Sequence, residues 1–176
     1  EDSRSGASGS SNSSNSSGGG VDREEDLSRM FNLLSRVPST LDLLRTSMYA
    51  YLKEAGVKVL EESSANAASR NPVRFVQSLL DLKGKFDYIV DKCFHGDKKA
   101  TKKLREAFEF IVNQNPRCSQ FLSDYVDDLL RNALKEITEN EADAKLDKFV
   151  VMFRFLCDKD VFEDHYKNAL AKRLLN

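Results

Sequence analysis

Residues 158–175 read DKDVFEDHYKNALAKRLL, and this stretch decides the fold class. It is a self-contained helix specification. Asp160 is suited to cap the N-terminus, and Glu163 stands three residues later at the capping-box position. Phe162, Tyr166, Ala169, Leu170, Arg173 and Leu174 recur at helical spacing and share one face. Glu163 precedes Lys167 by four residues, the favourable orientation for a helical ion pair. Acidic side chains crowd the first turn and Lys172 and Arg173 the last, which complements the helix dipole.

Working back from this helix, the chain keeps the same character. Thr138-x-x-Glu141 is a capping box that opens a preceding helix, with Leu146, Phe149, Val150, Phe153 and Leu156 inward. If these two helices pack as an antiparallel pair, Phe149 and Phe153 touch Phe162 and Tyr166. A helix starting near Ser119 presents Leu122, Tyr125, Val126, Leu129 and Leu130. Before it, a helix capped by Asp97 buries Leu104, Phe108, Ile111 and Val112 and stops at Asn115-Pro116. Asn71-Pro72 reads as an N-cap followed by a first-turn proline. The helix it opens carries Phe75, Val76, Leu79, Leu80, Leu82, Phe86, Ile89 and Val90, apolar on more than one side, and is expected to be central. Two helices come first. One spans about Glu24 to Arg36, with Leu27, Met30, Phe31 and Leu34 inward. The other starts after a Ser39 cap, with Leu41, Leu44, Met48, Tyr51, Leu52 and Ala55 inward and a kink expected at Gly56. Glu61 to Arg70 reads as a polar loop.

No two-residue alternation suggests a sheet, and the three prolines sit at helix boundaries. The expected fold is therefore all-α: five helices and then two more, as a bundle or one repeat of a solenoid. Residues 1–22 are Ser, Gly and Asn with few apolar side chains and are expected to be disordered. The absence of an initiator Met and of a final helix stop leads to the expectation of a piece cut from a longer chain.

Composition narrows the function classes. The 27 basic and 28 acidic side chains nearly cancel, so neither nucleic acid nor an anionic membrane is expected as partner. Cys93, Cys118 and Cys157 are too few and too widely spaced for a disulfide framework, and the first residues lack a signal peptide's apolar core, so a cytoplasmic or nuclear protein is expected. Asp124, Asp127 and Asp128 resemble the aspartates that bind Mg²⁺ in some all-helical enzymes, but the second acidic motif such sites need is missing. A solvated helix face is the plainer reading. Cys93 and His95 fall short of the roughly four ligands of a structural zinc site. Lys98, Lys99, Lys102, Lys103 and Arg105 form the one basic run, read as a solvated face neutralised by nearby acids rather than as a docking face. No catalytic residue, metal site or cofactor is expected.

The residues themselves carry a resemblance. Lys159-Asp160-Val161-Phe162-Glu163, Tyr166-Lys167 and Leu170-Ala171-Lys172-Arg173-Leu174-Leu175 closely resemble a stretch of the cullins, scaffolds of multisubunit RING-type ubiquitin ligases. Glu25-Asp26-Leu27-Ser28-Arg29-Met30-Phe31 with Leu34-Ser35-Arg36-Val37-Pro38 resembles the start of the third cullin repeat. Asn71-Pro72-Val73, Leu79-Leu80-Asp81-Leu82-Lys83, Lys85-Phe86-Asp87, Phe108-Glu109-Phe110 to Asn113, and Val126-Asp127-Asp128 with Leu130-Arg131 continue the match in order. The wording is most similar to the branch that recruits BTB-domain adaptors. Arg131-Asn132-Ala133 stands where the family often has a basic residue followed by glycine, and His165 where an aromatic is common. The resemblance implies a third repeat at residues 23–137 and the start of the C-terminal domain at residues 138–176. It also implies a non-catalytic scaffold role, with an adaptor and a RING subunit both binding outside this stretch. Asp160, Phe162, Glu163, Tyr166, Lys167, Leu170, Ala171, Arg173, Leu174 and Leu175 are then signature residues with structural roles. A generic helical tether of another complex and a Mg-dependent helical enzyme are the alternatives.

Overall fold

The computed structural model describes residues 19–65, 71–131 and 138–175. Among them are seven α-helices: α1 (Gly19–Leu34), α2 (Pro38–Ala65), α3 (Pro72–Tyr88), α4 (Lys98–Gln114), α5 (Cys118–Arg131), α6 (Glu139–Arg154) and α7 (Lys159–Leu175). The described residues contain no strand. The all-α expectation holds, in the order five helices and then two.

Local chemistry sets most helix starts as expected. Asn71 accepts from the Val73 and Arg74 amides at 3.0 and 3.4 Å, with Pro72 in the first turn. Asp97 accepts from the Ala100 amide at 2.7 Å. Glu141 reaches back to the Thr138 amide and hydroxyl at 3.1 and 3.0 Å. Other boundaries move. The first helix begins at Gly19, five residues before the expected Glu24, so Gly19–Asp22 are helical where a disordered segment was expected; residues 1–18 of that segment lie outside the described residues. Ser39 is not a cap, because the helix already starts at Pro38, whose fixed φ suits a first helical position. Thr40 instead donates its hydroxyl to the Leu34 and Val37 carbonyls at 3.2 and 2.7 Å, which closes the α1–α2 corner. The polar stretch after Glu61 continues α2 to Ala65, since Glu and Ala favour helix even without an apolar face; residues 66–70 lie outside the description.

α3 is central: it touches α2, α4, α5 and α6. The fully buried Leu52, Val76, Leu79, Phe108, Ile111 and Leu122 lie between α2, α3, α4 and α5. Each such burial contributes about 1.5–3 kcal/mol. Exposed pairs such as Lys58–Glu54 are screened by solvent, so packing rather than surface charge sets the helix arrangement. Three residues expected inward are exposed: Met30 (38%), Tyr51 (65%) and Val150 (40%). Met152, not expected in the core, is fully buried.

Gly56 does not break α2. A Cβ there would overlap the side chain of Ile111, which is fully buried on α4. The glycine is a place of close helix approach.

A π-helical turn, Ile89–Cys93, follows α3, and the chain then reverses through His95 and Gly96, both with positive φ (51° and 68°). The Phe94 ring stacks on Phe31 with centroids 4.9 Å apart, and His95 contacts Asn32 at 3.1 Å, so this turn is fastened to α1. The reversal delivers Asp97 to Arg45, a buried arginine 52 residues earlier in the chain. The two form a double hydrogen bond, Nε and Nη2 each 2.8 Å from a carboxylate oxygen. The guanidinium holds the Asp97 carboxyl below the usual range, and the carboxylate in turn raises the Arg45 pKa.

Substituting Gly56→Val should cost about 2–3 kcal/mol by overpacking against Ile111. Urea unfolding checks this; an unchanged midpoint would mean that α2 and α4 stand further apart.

Candidate functional site

The signature residues lie on α7, so the site is built from the way α7 is attached. The tightest packing of α7 is on α5, not on α6. Ser119 lies beside Asp158, His165 near Asp124 and Arg173 on Asp127, so the two helices run side by side in the same direction.

The signature residues divide along this seam. Phe162 is buried in an aromatic cluster with Phe149 (5.9 Å), Phe153 (4.8 Å) and Tyr166 (5.9 Å between centroids). Tyr125 of α5 stacks on Phe149 at 6.4 Å and joins the cluster to the five-helix unit. The expected aromatic contacts are therefore present, although α5 rather than α6 is the main partner of α7. Arg173 donates to Asp127 at 3.0 Å. Asp127 also faces Arg131, whose Nε lies 2.7 Å away. The Asp127 carboxylate is largely covered, 16% exposed, so its attraction for the two guanidiniums is less screened than that of a surface pair. Glu163 and Lys167 make their expected pair at 2.7 Å in solvent, with the carboxylate raising the lysine pKa. Leu170 is half-buried, whereas Ala171, Leu174 and Leu175 are exposed. Asp160 is not the N-cap. The helix begins at Lys159, two residues before an Asp160 cap would start it, which places Asp160 in the first turn where its charge suits the dipole.

The aspartate cluster is thus a joint. Asp127 is occupied by two guanidiniums. Burial raises the Asp124 pKa, opposed by the nearby His165. Among the described residues no three His, Cys, Asp or Glu converge to hold a metal ion. Cys93 and Cys118 are buried and Cys157 exposed, and burial pushes the Cys118 thiol up to about 12. A groove of about 640 Å³ follows the α5–α7 seam, lined by Asp124, Asp127, Arg131, His165, Lys172 and Leu175 among others. The basic run on α4 is met by acids, as expected: Lys102 and Lys103 by Glu106, Arg105 by Glu109 and Lys99 by Asp42, at 3.2–3.9 Å. No helix among the described residues is long and apolar enough to cross a membrane.

The arrangement joins α7 to α5 by one largely covered ion pair and to α6 by packed rings. The pairing of Asp127 with Arg173, 46 residues apart, had no local signal in the sequence. Only the helix-face position of Arg173 hinted at it.

Comparison with known proteins bears on the same point. The family model of the cullin alpha solenoid domain matches residues 14–176. Cullin-3A of Arabidopsis thaliana is 43% identical over 155 residues, covering 88% of this chain and 21% of that protein. Cullin-3 of Dictyostelium discoideum is 40% identical over 154 residues, covering 88% of this chain and 20% of that protein. Cullin-4A of Homo sapiens is 35% identical over 154 residues, covering 87% and 20%. The chain spans about a fifth of the length of the curated relatives it matches.

A double-mutant cycle between Asp127→Ala and Arg173→Met should give a coupling of about 1–2 kcal/mol in chemical denaturation. A coupling within error of zero would mean that the charge pair does not hold the seam.

Proposed function

This chain belongs to the cullin family, and from that premise we propose that it is the stretch of a cullin-RING ubiquitin ligase scaffold that transmits geometry from stalk to head. On this reading α1–α5 form the third stalk repeat, and α6 and α7 open the C-terminal domain. The full-length protein holds a BTB-domain substrate adaptor at one end and a RING subunit at the other, in the cytoplasm or nucleus. The stretch performs no chemistry itself. It contributes by keeping the two ends at a fixed separation and angle, because productive transfer depends on placing reacting groups accurately.

The observation that carries this reading is the Asp127–Arg173 contact, set beside the buried aromatic cluster around Phe162. A flexible tether needs neither a largely covered ion pair nor interlocked rings between its last helix and the preceding unit. A stiff scaffold needs both.

In the full-length protein, the adaptor and the RING subunit should each co-purify with both the parent and the Arg173→Glu variant. The variant should transfer ubiquitin to an adaptor-bound substrate more slowly, by on the order of tenfold. Failure of the parent to bind either partner would overturn the scaffold assignment; parental transfer rates in the variant would overturn the mechanical role.

A further inference from the structure

The near end of α7 is held by a second device, made of two side chains that sit outside the signature stretch. Asn113, in the last turn of α4, uses its amide fully as a bridge. Its Nδ2 donates to the Phe155 carbonyl at 2.8 Å and to the Glu109 carbonyl of its own helix at 2.6 Å, while its Oδ1 accepts from the Cys157 amide at 2.9 Å. Ser119, buried in the first turn of α5, donates its hydroxyl to the Asp158 carbonyl at 3.2 Å. The two residues flank the α4–α5 corner at Asn115-Pro116. Together they grip Phe155, Cys157 and Asp158 of the α6–α7 corner, all through backbone groups. Beneath the grip, Phe155 and Leu156 are buried, and Phe155 stacks on Phe108 with centroids 6.0 Å apart.

We propose that Asn113 and Ser119 are positioning residues that lock the α6–α7 corner onto the α4–α5 corner and so set the angle at which the chain leaves the five-helix unit. This rests on the scaffold reading for its purpose but not for its test. The chemistry at position 113 is specific. One side chain must donate to a carbonyl and accept from an amide two residues further on, which an amide does and a carboxylate or a hydrocarbon of similar size does not. Hydrophobic contact alone would leave the corner free to turn about the Phe108–Phe155 stack. The directed bonds to Phe155, Cys157 and Asp158 remove that freedom, because hydrogen bonds weaken steeply with misalignment. The polar grip at the near end and the Asp127–Arg173 pair at the far end fix α7 at two separated points, the minimum for defining a direction.

Two readouts on the intact chain test the lock. Amide hydrogen exchange at Cys157 should speed up on the order of tenfold in Asn113→Ala, the effect of losing one net hydrogen bond. Spin labels at the exposed positions 98 and 164, in a Cys157→Ser background, should give a distance distribution that broadens or shifts in Asn113→Asp and in Ser119→Ala. A control pair at positions 62 and 98, inside the five-helix unit, should not move. Asn113 lies at the surface, so Asn113→Asp keeps the fold testable even if Ser119→Ala destabilises it. Parental distances in both variants, or parental exchange at Cys157, would overturn the proposal. Neither readout involves ligase activity, so failure of the lock and failure of the scaffold reading are separate results.

Discussion

The structure depends on one carboxylate placed between two guanidiniums. Asp127 sits on α5, within the five-helix unit, and receives Arg173 from the last turn of α7 and Arg131 from its own helix. A charge this covered is costly to leave alone and favourable only when paired. Removing Arg173 from the pair therefore does more than delete a surface contact. The far end of α7 is directed to one place on α5. With that end fixed and Phe162 packed among Phe149, Phe153 and Tyr166, the helix cannot swing or roll without opening a buried aromatic cluster.

The rest of the molecule presents Asp127 to its partner. α3 is covered on several sides, so it fixes the relative positions of the helices around it. Gly56 lets α2 approach α4 until backbone meets Ile111, which gives that pair a close and specific fit. Arg45 and Asp97 join the start of α4 to α2 across a turn that a π-helical segment and two positive-φ residues have already reversed. Each is a local solution. Their combined effect is a unit whose α5 face is held firmly enough to serve as an anchor.

Sequence patterns revealed the elements and much of the core, because apolar spacing and capping chemistry are local. Asn71, Asp97 and Thr138-Glu141 act where their spacing put them. The errors arose where a tertiary neighbour decides the outcome. Tyr51 and Val150 fit an apolar stripe yet stay largely exposed, Tyr51 although its ring meets Phe86 of α3, while Met152 is fully buried. Gly56 looked like a breaker and serves as a contact. Asp160 looked like a cap, but the helix starts two residues sooner than that cap would set. The joint was the least legible part. Arg173, Asp127 and Asn113 all lay in matching runs, but nothing local showed that Asp127 meets Arg173 46 residues away or that the Asn113 amide bridges to the α6–α7 corner.

The central claim is that α1–α5 and α6–α7 move as one body. Residual dipolar couplings measured on backbone amides throughout the helices test it directly. Couplings from all seven helices should fit a single alignment tensor. Two distinct tensors, one for α1–α5 and a weaker one for α6–α7, would contradict the account.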